Sequence, residues 1–173
     1  ACGVAAASPD VAYVYLDAHL DLGLHHERGR GAMHNGNFVR HLVDTGRLID
    51  IVNIGARAWS IYDRAYDNCP VRRIQCGTLK AMTHHLAFLK GRVVYISIDA
   101  DILDPAVLPN ACCPEPLGMS AESLLSLLGW ISRSCRVIGA DFSEMTARPK
   151  LRYTAELALR LLFEAVWPEQ RLR

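Results

Sequence analysis

Apolar residues follow two rhythms along the chain. Short runs rich in Val, Ile and Tyr occur at 11–16 (VAYVYL), 49–55 (IDIVNIG), 71–75 (VRRIQ), 92–98 (RVVYISI) and 135–140 (CRVIGA), and each reads as a strand. Between them, 37–46, 59–67, 78–89 and 120–133 carry a helical period, as does a final segment at 153–166. Ser120 is placed to cap the fourth of these, although Ser123 three positions on leaves the capping box incomplete. The last segment, YTAELALRLLFEAV, reads as an amphipathic closing helix with Glu156 and Arg160 at the favourable i, i+4 spacing. Strand and helix patterns in alternation predict parallel β-α-β units, hence a three-layer α-β-α fold with a mainly parallel sheet. The chain shows no repeat, low-complexity tract or linker, so the expectation is one domain over residues 1–173.

In open α/β sheets, ligands bind outside the carboxyl ends of the strands. Three predicted strands run into acids there: the first into Asp17, the fourth into Asp99, and the fifth into Asp141 with Glu144 beyond. In DAHLD, Asp17, His19 and Asp21 alternate; in SIDADILDP, Asp99 and Asp101 do the same, and alternation along extended backbone turns such residues to one side. Carboxylates gathered without a counter-ion repel one another and raise one another's pKa values, so this grouping calls for cations. An oxygen-rich donor set with one imidazole and no thiolate suits a fairly hard divalent ion such as Mn²⁺. Two ions about 3.5–4 Å apart can share a water and bring its pKa near neutrality, which is the chemistry of metal-assisted hydrolysis.

Composition narrows the partners. Nineteen Lys plus Arg against eighteen Asp plus Glu give a formal net charge of +1, which offers no general attraction to nucleic acid or to an acidic membrane surface. No apolar run approaches the roughly 20 residues of a membrane helix, and the start ACGVAAASPD lacks the pattern of a secretion signal. Six cysteines without a CxxC spacing imply reduced thiols and a cytoplasmic setting; adjacent Cys112 and Cys113 read as filler more readily than as a soft-metal pair. A small-molecule partner is the resulting expectation.

DAHLD, SIDADILDPAVLPN and GADFSEMTARP resemble, in order, three successive signatures of the ureohydrolases, the family of arginase, agmatinase, guanidinobutyrase and formimidoylglutamase, and VNIGARAW is similar to that family's middle strand and loop. The resemblance covers nearly the whole chain. It implies an arginase-like fold and a manganese-dependent hydrolase that cleaves a C–N bond of a linear guanidino or formimidoyl compound, releasing urea or formamide. By position it implies Asp17 and Asp99 as bridging ligands of two Mn²⁺ ions, His19 and Asp21 as ligands of one ion each, and Asp101 as a further ligand. Asp21 would also handle a proton, and Glu144 would hold the cationic group of the substrate. A trimer or hexamer is implied as well.

The family's Gly-Gly-Asp-His motif, expected some two dozen residues before DAHLD, does not occur in the chain. The expectations that follow are an N-terminally truncated sheet with an exposed edge and a first metal site short of one donor, from either a fragment of a longer protein or a degraded site that holds at best one secure ion where a complete site holds two. A non-catalytic binding or oligomerisation module, or an inactive fragment, is therefore the alternative to an active hydrolase. A third reading, DAD as the metal motif of a nucleotide-sugar transferase, leaves DAHLD unexplained. Leu20, Asn110, Cys113 and Leu117 also depart from the family pattern. AMHNGNFVRHL resembles the substrate loop, which makes Asn35 a candidate substrate contact and leaves His34 open between a proton shuttle and a locally bonded loop residue. His84 and His85 read as a helix-face pair, LHHERGRG as a solvated loop or substrate contact, Asp104 as a turn former, and Asp141 as a supporting residue or strand terminator.

Overall fold

The computed structural model describes residues 10–23, 32–46, 50–58, 70–146 and 152–167. The predicted helix at 59–67 and the LHHERGRG loop lie outside them. Among the described residues, five strands, β1 (Ala12–Leu16), β2 (Asp50–Ile54), β3 (Val71–Ile74), β4 (Val93–Asp99) and β5 (Arg136–Ser143), form a sheet in the order β3-β2-β1-β4-β5. Every pairing is parallel. The chain winds outward from β1 through β2 to β3, then returns to the other side of β1 for β4 and β5, so the switch point lies between β1 and β4. That crevice is where both acidic motifs emerge.

Among the described residues, four helices, α1 (Phe38–Thr45), α2 (Leu79–His85), α3 (Ala121–Ser134) and α4 (Arg152–Val166), cover the sheet. Val14, Leu16, Ile96 and Ile98 of the central strands pack with Met82 of α2, Leu124 and Leu128 of α3 and Leu161 of α4 on one face. Tyr13, Tyr15 and Ile51 pack with Val39 and Leu42 of α1 on the other. Leu124, Leu127, Leu128 and Ile131 are wholly buried at helical spacing, each contributing roughly 1.5–3 kcal/mol. Ser120 caps α3 as expected, its Oγ accepting from Ser123 N at 3.1 Å.

Two segments differ from the sequence expectation. The helix expected over 78–89 is α2 followed by a 3₁₀ turn at Ala87–Leu89, and this tightening sets Leu86 and Leu89, three apart, on one side where both are fully buried. The fifth strand runs three residues past 140, so Asp141 lies within β5 and not at its end. None of β5's eight residues is fully buried, which is why its apolar signal fades early. Among the described residues β5 is an edge strand. Cys76, Cys112, Cys113 and Cys135 are free thiols, and no helix among the described residues is long and apolar enough to cross a membrane.

Candidate metal centre

Asp17 follows directly on β1, and its N–H still donates across the sheet to Ile54 O at 3.0 Å. Beyond it the chain bends. The Asp17 carboxylate accepts the His19 N–H at 2.6 Å, and at the end of β4 the Asp99 carboxylate accepts the Asp101 N–H at 3.0 Å. In both motifs the first Asp thus closes a turn on the residue two positions on, as Asp side chains favour. Alternation along a strand is therefore not what gathers these donors. β1 stops at Leu16, Asp101 sits in a 3₁₀ turn at Ala100–Ile102, and Asp21 has a left-handed backbone with φ 52°.

The two motifs are joined across the switch point. Asp101 Oδ1 accepts from Ala18 N at 2.9 Å, and Asp101 Oδ2 lies 2.8 Å from His19 Nδ1, which is 3.6 Å from Asp17 Oδ1. Asp17, His19 and Asp101 each offer a ligand atom within 4.8 Å of the others. Behind them, buried Asn53 at the end of β2 donates to His19 O at 3.1 Å and accepts from Ala56 N at 2.9 Å. Asp17, His19, Asp21, Asp99 and Asp101 line one cavity of about 400 Å³ together with Asn35, Cys113, Asp141 and Glu144.

Glu144 reaches this cavity from the turn after β5, with a left-handed φ of 57°. Its carbonyl accepts from Cys112 N at 2.8 Å, and Asn35 Nδ2 donates to its Oε1 at 3.4 Å, so the two candidate substrate contacts touch each other. His34 is engaged locally: its Nδ1 accepts from Gly36 N at 3.2 Å and its N–H donates to Asn37 Oδ1 at 2.8 Å, and it is not among the residues that line the cavity. Asp104 shapes a turn, accepting from Ala106 N at 2.9 Å and Gly118 N at 3.2 Å. Asp141 accepts from Ser97 Oγ at 2.8 Å inside the cavity wall. Asn110 is buried and ties the loop after β4 to the third motif, donating to Thr146 O at 2.7 Å. His84 and His85 are an exposed pair on α2 with rings 5.7 Å apart.

The electrostatics favour a guest cation. Burial pushes Asp17 up to about 7, with repulsion from Asp101 and Asp99 adding to it. Burial likewise raises Asp99 to about 8, helped by Asp101, and Asp21 to about 9, helped by Asp17. Hydrogen bonding to Asp101, then to Asp17, raises His19 to about 11, so a metal ion would have to displace a proton from this ring as well as from the carboxylates. Carboxylates that resist ionisation until positive charge arrives, with an imidazole nitrogen set among them, fit a hard divalent ion.

The arginase family model matches residues 2–167. The chain belongs to the arginase family. Among curated relatives of this arginase-family chain, the N(1)-aminopropylagmatine ureohydrolase of Thermus thermophilus is 29% identical over 166 residues, covering 91% of this chain and 53% of that protein. The mitochondrial guanidino acid hydrolase of Homo sapiens is 32% identical over 172 residues, 89% of this chain and 46% of that one. Among solved structures, the proclavaminate amidino hydrolase of Streptomyces clavuligerus superposes with a TM-score of 0.74 at 26% identity, over 95% of this chain and 58% of that chain. The arginase of Bacillus subtilis, at 21% identity and a TM-score of 0.75 over 95% of this chain and 66% of that chain, shares the fold. The chain spans about half the length of the curated relatives it matches.

Three residues that the sequence reading passed over prove central: Asn53, Arg57 and Glu115. Arg57 donates to Asp101 O at 2.7 Å, to Glu115 O at 2.8 Å and to Pro116 O at 2.8 Å, while Glu115 Oε1 stands 3.7 Å from His19 Nε2. Only the position of Arg57 in VNIGARAW, just past β2, hinted at this role.

Proposed function

We propose that this chain is a single arginase-family domain over residues 1–173 and a manganese-dependent hydrolase that cleaves a C–N bond in a linear guanidino or formimidoyl compound, releasing urea or formamide. The observation that carries the reading is the meeting of both acidic motifs around His19, with Asp101 Oδ2 at 2.8 Å from its Nδ1. In this reading Asp17 and Asp99 would hold two ions between them, His19 and Asp101 would serve one, and Asp21 the other. When bound, Mn²⁺ would neutralise the carboxylates and lower the pKa of water toward neutrality. Glu144 receives the cationic planar group of the substrate, and Asn35, bonded to Glu144 Oε1 at 3.4 Å, sets its direction. Asp21, which lines the cavity beside Asp17 and Asp99, would handle a proton as the amine leaves. A cytoplasmic trimer or hexamer completes the proposal.

One observation favours a second reading, a non-catalytic module with a single ion. Among the described residues, the donor atoms gathered within 4.8 Å belong to Asp17, His19 and Asp101, without Asp21 or Asp99. Titration calorimetry with Mn²⁺ on the 173-residue chain, with Asp99→Ala as control, separates the two. Two sites lost in the variant, with urea or formamide released from a guanidino or formimidoyl panel, support the hydrolase. One site and no release from any substrate would leave the module.

A further inference from the structure

We propose that Glu115, pinned through its main chain by Arg57, is a positioning residue that fixes which edge of the His19 imidazole faces the carboxylate cluster. The His19 side chain is 25% exposed, so its two ring edges are not fully determined by packing. Nδ1 faces inward to Asp101 at 2.8 Å, and Nε2 faces outward to Glu115 Oε1 at 3.7 Å, within ion-pair range. Turning the ring over would exchange nitrogen for carbon on both edges and break both contacts. An acceptor beyond the outward nitrogen is the device by which proteins set the tautomer and direction of a metal-ligating histidine.

Glu115 can act this way only if its own place is fixed, because its side chain is 32% exposed and lies on the loop between β4 and α3. Arg57 supplies that fixity. Its Nη2 donates to Glu115 O and to Asp101 O at 2.8 and 2.7 Å, its Nε to Pro116 O at 2.8 Å, and its Nη1 lies 3.4 Å from Gly55 O. One planar group thereby sets the loop that carries Glu115 and the turn that carries Asp101 at a constant separation, and His19 sits between the two. A lysine, with one ammonium and no fork, cannot span these carbonyls in the same way. The backbone of His19 is held separately by Asn53, at 3.1 Å, so what remains for Glu115 to govern is the ring.

The proposal deepens the metal-site reading and rests on it for its metal arm only. The experiment compares wild type, Glu115→Ala, Glu115→Gln and Arg57→Lys by long-range ¹H–¹⁵N NMR of the histidine rings without metal, by Mn²⁺ calorimetry, and by thermal melting. Glu115→Ala is expected to shift the His19 ring nitrogens while leaving those of His84 and His85 in place, to keep the wild-type melting temperature, and to weaken Mn²⁺ binding by about 10–100-fold. Glu115→Gln retains an acceptor and should restore most of that affinity, and Arg57→Lys should fall between. His19 resonances and Mn²⁺ affinity unchanged in Glu115→Ala would overturn the proposal, as would a loss that Gln fails to restore. If wild type takes up no Mn²⁺ but the His19 signals still respond to Glu115→Ala, the metal reading falls and the positioning role stands.

Discussion

The carboxylate cluster should make the metal-free protein lose stability as pH rises, the reverse of what salt-bridged acids do. Asp17 has a folded pKa of about 7 against an ordinary 3.8, Asp99 about 8 and Asp21 about 9, with burial the first cause in each case. Between pH 4 and these values the folded chain holds protons that the unfolded chain has released, so the unfolding free energy falls with pH across that window. At about 1.4 kcal/mol per pKa unit, Asp17 alone accounts for roughly 4 kcal/mol, and the three acids share part of their mutual repulsion, so their total is less than three such steps. His19 acts in the same direction later, because its folded value near 11 lies above the ordinary 6.5 and its contribution is lost as pH climbs between the two. Against a typical total of about 5–15 kcal/mol this is a large fraction. Mn²⁺ should cancel it by replacing protons, and at 100 times its dissociation constant should add about 2.7 kcal/mol at neutral pH. Thermal melting by circular dichroism from pH 4.5 to 9, with and without Mn²⁺, reads this directly. The metal-free melting temperature should fall by many degrees over the range while the metal-loaded one holds or rises. A metal-free curve that is flat or rising between pH 5 and 9 would show that these carboxylates are ionised and satisfied by the protein itself, and would refute the argument that the cluster awaits a cation.

Three further outcomes test the scaffold around the site. Leu117 is 84% exposed with a left-handed φ of 63°, so Leu117→Gly should raise stability by about 1 kcal/mol in urea denaturation by removing a strained backbone and losing almost no packing. Gly118→Ala should cost at least about 2 kcal/mol by the same assay, because the added Cβ would stand 2.4 Å from Asp104 N and 2.5 Å from Leu103 C, and neither main-chain atom can yield cheaply. Asn53→Ala strands the Ala56 N–H and the His19 carbonyl behind the centre, so a loss of about 1–3 kcal/mol is expected, together with faster amide exchange at Ala56.

The five strands and the described helices were legible because burial writes itself into side-chain chemistry: wholly buried β1 spells AYVYL, and α3 places Leu124, Leu127, Leu128 and Ile131 at helical spacing. The failures have a common physical source in the main chain. Side-chain alternation suggested that Asp17, His19 and Asp21 converge as a strand does, whereas the turns closed by Asp17 and Asp99 bend the chain, and Asp21 then adopts a conformation that its residue type does not announce. Arg57 was illegible for a related reason: all its partners in the site are carbonyls, which every residue carries, so no partner residue type marks its role. The left-handed positions sharpen the point. Asp21 and Glu144 are two of the three non-glycine residues with positive φ among those described, and both place an acid at the cavity. Glycine would relieve the backbone at either position but would remove the carboxylate, so the strain at Asp21 and Glu144 is retained where the chain needs an acid at a turn. Exposed Leu117 holds no such group, so the backbone cost there has no chemical return, which is why Leu117→Gly should stabilise the protein while glycine at Asp21 or Glu144 should disable the site.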